Sequence, residues 1–369
     1  MKTVLFVIPT LGGGGAEKVL VNLVNNLDKA KYDIEILTLF KNDTNLKFLN
    51  NDIRVTSCLK KQFKGNRIIF KLFSPKFLYK RLIYKRYDIV VSYLEGPGER
   101  IVSGCPFTDS KLVNWIHVEQ HTLDVAASSY RSAKEFKDCL DKFDCTVAVS
   151  DTVKQDFENI THVSHDFKVI YNTLEVDKIR KLAQEDVNIK FEPNSVNVFS
   201  IGRLTKAKGF DRLIRAHARL RGEGYNINLY ILGNGELLDE LKNLAKDLNV
   251  SDSVQFLGFH SNPYKFINHA NLFVCSSRRE GFSTAVSEAL ILGVPVVSTN
   301  CSGTHELLGN GNEYGIIVEN SYEGVYSGMK KILSDSDMLS HYKIASEIRG
   351  KKFSTEATVK SVEDLFDSL

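Results

Sequence analysis

Short apolar runs alternate with amphipathic helical patterns along the whole chain, and the alternation restarts near its middle. The first series of runs falls at 4–9, 34–40, 53–58, 88–94, 111–116, 145–150 and 167–171, and the second at 196–201, 229–232, 254–257, 272–275 and 296–298. Near-continuous apolar strands separated by helices indicate parallel sheets covered on both faces. Two such series in 369 residues predict two consecutive α/β units, each with its own core. The expected division is 1–180 and 181–354, with the polar stretch 184–197 as the linker. In an open sheet of this kind the loops after the strand C-termini line the ligand crevice, so those loops are where chemistry is sought.

The loop after 272–275 carries Arg279-Glu280-Gly281-Phe282-Ser283-Thr284 and runs into a helical pattern containing Glu288. Gly281 permits a tight turn and Ser283 can cap the helix, whose N-terminus favours an anion such as phosphate. Glu288 would lie about 6 Å along the axis from that end. Two carboxylates flanking an anion seat suit a nucleotide-sugar, because carboxylates accept from hydroxyls on both sides of a diphosphate. A loop glutamate and a solvated helix glutamate fit the same letters. After 196–201 the loop Gly202-Arg203-Leu204-Thr205-Lys206-Ala207-Lys208-Gly209 offers two cations, Arg203 and Lys208, suited to a diphosphate or simply solvated. The loop after 4–9 is Leu11-Gly12-Gly13-Gly14-Gly15-Ala16-Glu17. It opens like a dinucleotide-binding unit, but Glu17 or Lys18 stands where the third glycine of the fingerprint belongs. That disfavours an NAD-dependent oxidoreductase and leaves a tight turn or a close backbone approach to a ligand. After 111–116 comes His117-Val118-Glu119-Gln120-His121; His117 reads as a loop histidine, and with no further His/Cys cluster no metal site is expected. Asp335-Ser336-Asp337 sits between helical patterns and reads as a solvated helix boundary.

Between residues 60 and 86 there are ten Lys or Arg and no Asp or Glu, interleaved with Phe63, Phe70, Phe73, Phe77, Tyr79 and Tyr84. Ser74-Pro75 reads as an N-cap and first helical position. Beyond it Leu78/Leu82 and Tyr79/Ile83 form apolar pairs, and Lys76/Lys80 and Arg81/Lys85 form basic ones. We expect Lys76, Lys80, Arg81 and Lys85 to contact an anionic membrane surface, in preference to a solvated helix face or nucleic acid. The overall charge of +3 gives no separate reason to expect nucleic acid. The six cysteines contain no CxxC pair, which fits a reducing compartment. The first apolar run is too short for a signal peptide, and no run approaches the ~20 residues that span a bilayer. The expected location is therefore cytoplasmic, peripheral on the inner face of the plasma membrane.

The second half resembles the retaining glycosyltransferases of family 4 (GT4), which have the GT-B fold: two Rossmann-like doubly wound domains facing across a cleft. The resemblance is carried by Gly202-Arg203-Leu204 with Lys208-Gly209, Leu232-Gly233-Asn234-Gly235-Glu236, Val254-Gln255-Phe256-Leu257-Gly258, Glu280-Gly281-Phe282 with Glu288-Ala289, Gly293-Val294-Pro295-Val296-Val297, and Gly303 with Glu306. Order and spacing agree over about 110 residues. The first half matches more loosely, through Gly13 to Glu17, His117, Ser150 and Asn172. The resemblance implies that Arg203 and Lys208 hold the diphosphate. It implies that Glu280 with Gly281, Phe282 and Ser283 holds the donor sugar and distal phosphate, and that Glu288 holds the ribose. Gly233, Asn234, Gly258 and Phe259 would lie at the base. His117 would face the donor sugar, and Gly14 and Gly15 would lie near the phosphates and acceptor. It also implies a helix at 355–369 returning to the first domain, and no required metal or cofactor. Asn234 departs from the family, where an acidic residue is common.

The implied reaction is transfer of a sugar, with retention, from a nucleotide-sugar, UDP being the commonest choice, to a hydroxyl of a glycan or polyprenol-diphosphate-saccharide acceptor in surface-polysaccharide assembly. Arg203, Lys208, Glu280 and His117 are the expected catalytic residues. The alternatives are a GT-B sugar-nucleotide epimerase, which would turn over without an acceptor, and a non-catalytic nucleotide-sugar-binding subunit of a transferase, which would bind without turnover.

Overall fold

The computed structural model describes residues 1–42, 44–61, 65–163, 165–192 and 194–369; Phe63 and Lys64 of the basic strip, Pro193, and the side chain of Arg67 lie outside the description. The chain forms two compact units, Met1–Leu174 with Thr355–Leu369, and Glu175–Ser354. The first contains β1 Lys2–Ile8, β2 Tyr32–Phe40, β3 Arg54–Leu59, β4 Ile89–Ser92, β5 Lys111–Ile116, β6 Cys145–Ala148 and β7 Asp166–Val169. The second contains β8 Val196–Ile201, β9 Ile227–Leu232, β10 Val254–Gly258, β11 Leu272–Cys275, β12 Val296–Thr299 and β13 Ile316–Val318. Every described pairing is parallel. The central strands are buried on both faces, as in Val4 to Ile8 and Leu272 to Cys275, which is why they read as continuous apolar runs rather than alternating ones.

Strand order is β3-β2-β1-β4-β5-β6-β7 in one sheet and β10-β9-β8-β11-β12-β13 in the other. Each order reverses once, between β1 and β4 and between β8 and β11. Ligands of doubly wound sheets bind outside the carboxyl ends of strands at that reversal. The topology thus selects the loops after β1 and β4 in one unit, and after β8 and β11 in the other.

The units part at Leu174/Glu175, not in the polar stretch 184–197 expected as the linker. That stretch is held to the second unit. Phe191 packs edge-on against Phe199 of β8 and Tyr230 of β9, and Asn262 Nδ2 donates to Glu185 Oε2 at 2.9 Å. Its polarity reflects surface exposure around one apolar anchor. The helix Thr355–Ser368 belongs to the first unit. Phe366 is fully buried against Phe6 and Tyr32, and Lys2 Nζ donates to Phe366 O at 2.6 Å. Asp335 caps the helix Ser336–Gly350 by accepting from the Asp337 and Met338 amides, so that acidic pair is a helix boundary.

The basic strip folds as two short helices, Asn66–Leu72 and Pro75–Leu82, with Ser74 as N-cap and Pro75 in the first turn. Leu78, Tyr79 and Ile83 turn inward, while Ile68, Ile69, Leu72, Phe73, Phe77 and Tyr84 stay exposed. Two arginines hold the connection between the helices. Fully buried Arg100 donates to Phe70 O at 2.7 Å and Phe73 O at 2.8 Å, and Arg131 donates to Lys71 O at 2.5 Å and Leu72 O at 2.8 Å. These bonds satisfy carbonyls that the end of a short helix leaves open.

Candidate active site

In the second unit the two loops at the strand-order reversal meet backbone to backbone. Gly209 has φ +63°, and a Cβ there would stand 2.1 Å from Ser276 O, so only glycine fits. Ser276 Oγ donates to Lys208 O at 3.1 Å, and the Arg278 amide donates to Ala207 O at 2.7 Å. The Arg278 guanidinium makes two 2.7 Å bonds to the Asp211 carboxylate and a third, of 2.9 Å, to Lys206 O. Such a bidentate fork fixes geometry as well as charge. It clamps the loop bearing Lys208 to the loop bearing Glu280.

The clamp brings Lys208 Nζ to 2.6 Å from Glu280 Oε1, and Ser277 Oγ donates to the same oxygen at 2.6 Å. The pair is largely enclosed, with side-chain exposures of 29% and 12%. Glu280 Oε2 makes no hydrogen bond among the described residues. Burial works to lower the Lys208 pKa, but the charge and hydrogen bond of Glu280 outweigh it, and the ammonium is held above its ordinary value. Lys208 is thus a fixed cation that keeps further N–H donors beyond the one given to Glu280. Arg203 is exposed, and its guanidinium has no hydrogen-bond or ion-pair partner among the described residues.

The loops after β9 and β10 adjoin this centre. A Cβ on Gly233 would stand 1.9 Å from Gly202 O, the Gly233 amide donates to Gly258 O at 2.8 Å, and the Leu204 amide donates to Asn234 O at 3.0 Å. Gly233, Asn234 and Gly258 therefore share one strand-end surface with Arg203, and Phe259 beside them is 47% exposed. Beyond Gly281 and Phe282, Ser283 caps the helix Thr284–Ile291, its Oγ accepting from the Val286 amide. Glu288 is 3% exposed and accepts from the Tyr264 hydroxyl at 3.4 Å. That excludes the solvated helix glutamate.

In the first unit, Gly14 is the N-cap and Gly15 the first residue of the helix Gly15–Asn26. The turn before it is tied by the Asn45 side chain to Gly12 O and by the Gly12 amide to Thr10 Oγ1 at 3.3 Å. His117, after β5, is buried; its amide donates to Glu95 Oε2 at 3.0 Å and its ring lies 4.9 Å from that of Tyr93. Burial pulls its pKa down to about 3, against a hydrogen bond to the Tyr93 backbone, so the imidazole is neutral at physiological pH. Its Nε2 is enclosed with no partner among the described residues. The side chains that converge at metal-ligand distances in this region are Glu119, His121 and Asp156, without His117. Asp156 already accepts the Gln120 amide at 2.6 Å and the His121 amide at 3.1 Å, so it anchors the loop.

Of the four expected membrane contacts, Lys76, Lys80 and Arg81 are exposed. Lys85 differs from these three in being paired: it bonds Glu35 and lies over the Tyr87 ring, 4.9 Å from its centroid, with 41% of its side chain exposed. Helical spacing from Arg81 placed it on the basic face, but the helix ends at Leu82 and Lys85 turns back to the sheet.

Sequence reasoning missed Ser277, Arg278, Asp211 and Tyr264. Ser277 stands three residues before Glu280 in one loop and could have been weighed as its donor. Arg278 and Asp211 are 67 positions apart, and nothing in the letters joins them.

A family model for group 1 glycosyl transferases matches residues 183–349, and one for glycosyltransferase family 4 matches 13–178. A Campylobacter jejuni N-acetylgalactosamine-N,N'-diacetylbacillosaminyl-diphospho-undecaprenol 4-alpha-N-acetylgalactosaminyltransferase is 38% identical over 188 residues, 50% of this chain and 49% of that protein. The match thus spans about half of that relative's length. An uncharacterized Haemophilus influenzae glycosyltransferase is 25% identical over 98% of both chains. Among solved structures, Anabaena HepE in complex with UDP and glucose superposes with TM-score 0.79 at 18% identity over 100% of both chains. WaaG, a glycosyltransferase involved in lipopolysaccharide biosynthesis, superposes with TM-score 0.76 at 16% identity over 98% of this chain and 99% of that one. With one model on each unit and both sheets built as in these neighbours, the chain belongs to the family 4 glycosyltransferases and has the GT-B fold.

Proposed function

We propose that this protein transfers a sugar, with retention at the anomeric carbon, from a UDP-sugar to a hydroxyl of a lipid-linked or saccharide acceptor in surface-polysaccharide synthesis. The observation that carries the reading is the Lys208–Glu280 pair at the strand-order reversal, with one carboxylate oxygen unused beside a fixed ammonium. The ammonium side suits the diphosphate and the unused oxygen suits a sugar hydroxyl.

In the reaction the bond from the anomeric carbon to the phosphate oxygen breaks, and its electron pair leaves with the diphosphate. Positive charge grows on the ring and negative charge on the leaving oxygen. Arg203, Lys208 and the N-terminus of the helix after Ser283 stabilise the latter. The acceptor oxygen bonds the anomeric carbon on the face the phosphate leaves, and its proton passes to the departing phosphate. Glu280 orients the sugar, Glu288 the ribose, and the surface of Gly233, Asn234, Gly258 and Phe259 the base. In the first unit, His117 offers a neutral hydrogen-bonding group to a sugar hydroxyl, and the turn at Gly14 and Gly15 admits the phosphates and acceptor. Because two side-chain cations meet the diphosphate, no metal is needed, and EDTA leaves turnover unchanged.

The acceptor is presented at a membrane. Lys76, Lys80 and Arg81 are exposed in the same strip as exposed Ile68, Leu72, Phe73 and Phe77, which supports docking on the inner face of the plasma membrane. None of the described helices is long and apolar enough to cross a membrane. The Campylobacter jejuni relative is named for a diphospho-undecaprenol acceptor, and HepE was solved with UDP and glucose, which supports both ends of the reading. The test is a panel of UDP-, GDP- and ADP-sugars scored for donor hydrolysis, followed by NMR of the product's anomeric configuration. Hydrolysis of none of them, or inversion, overturns the proposal.

A further inference from the structure

We infer that Ser277 is a positioning residue that divides the Glu280 carboxylate between the protein and the donor sugar; the inference rests on the donor reading above. Ser277 is 2% exposed. Its hydroxyl and the Lys208 ammonium both donate to Oε1, each at 2.6 Å, and neither takes Oε2. The terminal torsion of a glutamate is broad and roughly two-fold, so a carboxylate facing only a lysine can turn both oxygens toward it. The serine hydroxyl removes that freedom. With Oε1 holding these two short bonds, and the Cys275 thiol a third and weaker donor at 4.0 Å, Oε2 is left as an acceptor with a fixed direction.

Ser277 cannot follow the carboxylate if it turns. Its carbonyl accepts from Thr299 Oγ1 at 2.6 Å and from Cys301 Sγ at 3.2 Å, which ties the loop to the end of β12. An oxygen that can only accept selects a ligand group that donates. A sugar hydroxyl fits Oε2, and a phosphate oxygen is repelled from it and directed to the ammonium. Ser277 thereby sets which end of the donor lies where, and the site takes donor sugars with a free hydroxyl at that point.

The experiment uses UDP-glucose, UDP-N-acetylgalactosamine, GDP-mannose and ADP-glucose. Whichever the wild-type chain hydrolyses is compared with its parent nucleotide by calorimetry and steady-state kinetics. In Ser277→Ala the parent nucleotide binds within about twofold of wild type, while kcat and the extra affinity contributed by the sugar fall about tenfold, the size expected for one hydrogen bond to a charged group. Ser277→Thr restores both. Ser277→Cys, with similar volume and a weaker donor, falls between, and carries the comparison if the alanine variant does not fold. An unchanged sugar increment in Ser277→Ala overturns the inference and leaves the donor reading standing. So does an equal loss for nucleotide and nucleotide-sugar with a lowered melting temperature. If the wild-type chain hydrolyses nothing in the panel, the donor reading fails and the inference with it.

Discussion

Lys208→Met tests whether the Lys208–Glu280 pair belongs to the fold, to the reaction, or to both. The two charges stand 2.6 Å apart with side-chain exposures of 29% and 12%. Removing one member of a fully buried pair costs about 3–5 kcal/mol, because the other charge is stranded. Partial exposure of the lysine end lets water screen the stranded carboxylate and lowers the expected cost to about 2 kcal/mol. For a unit of this size that is a fall in melting temperature of about 4–8 °C. Losing one preorganised cation at the leaving phosphate lowers kcat by about 10²–10³-fold. The Lys208 pKa is raised in the folded chain. Its stabilisation is therefore complete below the unfolded value and is lost only as pH rises through the higher folded one, so measurements at pH 7 to 8 report the whole effect. Adding Glu280→Gln to Lys208→Met removes the stranded charge and recovers most of the stability but none of the turnover. Calorimetric melting and donor-hydrolysis rates on the two single variants and the double variant close the cycle. If Lys208→Met melts with wild type, the pair contributes nothing to the fold. If it loses stability and keeps kcat, the pair is structural and the site assignment is wrong.

Arg203→Ala removes an exposed cation with no partner among the described residues, so stability changes by less than about 0.5 kcal/mol while kcat falls about 10²-fold; the separation of the two readouts distinguishes it from Lys208. His117, with its pKa drawn down to about 3, shows no imidazole titration by NMR between pH 5 and 8. Its depressed folded value stabilises the chain above the unfolded pKa, and that contribution is lost as pH falls from about 6.5 toward 3, which His117→Gln flattens in pH-dependent melting. Wild-type protein sediments with phosphatidylglycerol vesicles at low salt. Replacing Lys76, Lys80 and Arg81 by Gln abolishes this, whereas Lys85→Gln leaves sedimentation intact and lowers melting instead, because Lys85 is spent on Glu35. Phe366→Ala opens a cavity between the C-terminal helix and β1 and costs the first unit about 3–5 kcal/mol, measured by denaturant titration.

Much of this molecule could be read from its letters because parallel strands buried on both faces are written as apolar runs. The runs at 111–116, 196–201 and 272–275 coincide with β5, β8 and β11. Caps at Ser74 and Ser283 were legible for the same local reason, since an N-cap acts only on the next three residues. What depends on distance in sequence was not legible. β13 Ile316–Val318 is a three-residue edge strand, too short to stand out. The polar 184–197 stretch looked like a linker because the ring contacts of Phe191 are made with residues far along the chain. At the site, the carboxylates and cations were visible, but not that Lys208 is already paired, nor the Arg278–Asp211 fork that makes it so.

The two sheets share one winding, yet their strand-end loops carry different chemistry, and this bears on what each unit can bind. In the second unit the loops at the reversal bring a paired lysine to a helix N-terminus, with an arginine and a carboxylate oxygen that have no partner among the described residues. Such a set neutralises a diphosphate and still accepts from hydroxyls. In the first unit the strand-end loops bring a glycine turn and a buried histidine that burial keeps neutral. A neutral imidazole whose Nε2 has no partner among the described residues is suited to hydrogen-bonding an uncharged hydroxyl, and a glycine turn at a helix N-terminus to close approach of backbone, but neither is a side-chain cation. The charge set at the second unit's reversal point, rather than the shared topology, is what supports the proposal that the nucleotide lies there. It follows that moving one charge moves the assignment. His117→Lys would put a cation in the loop after β5, and tighter binding of inorganic pyrophosphate by that variant would show that topology alone leaves either unit competent for the anion.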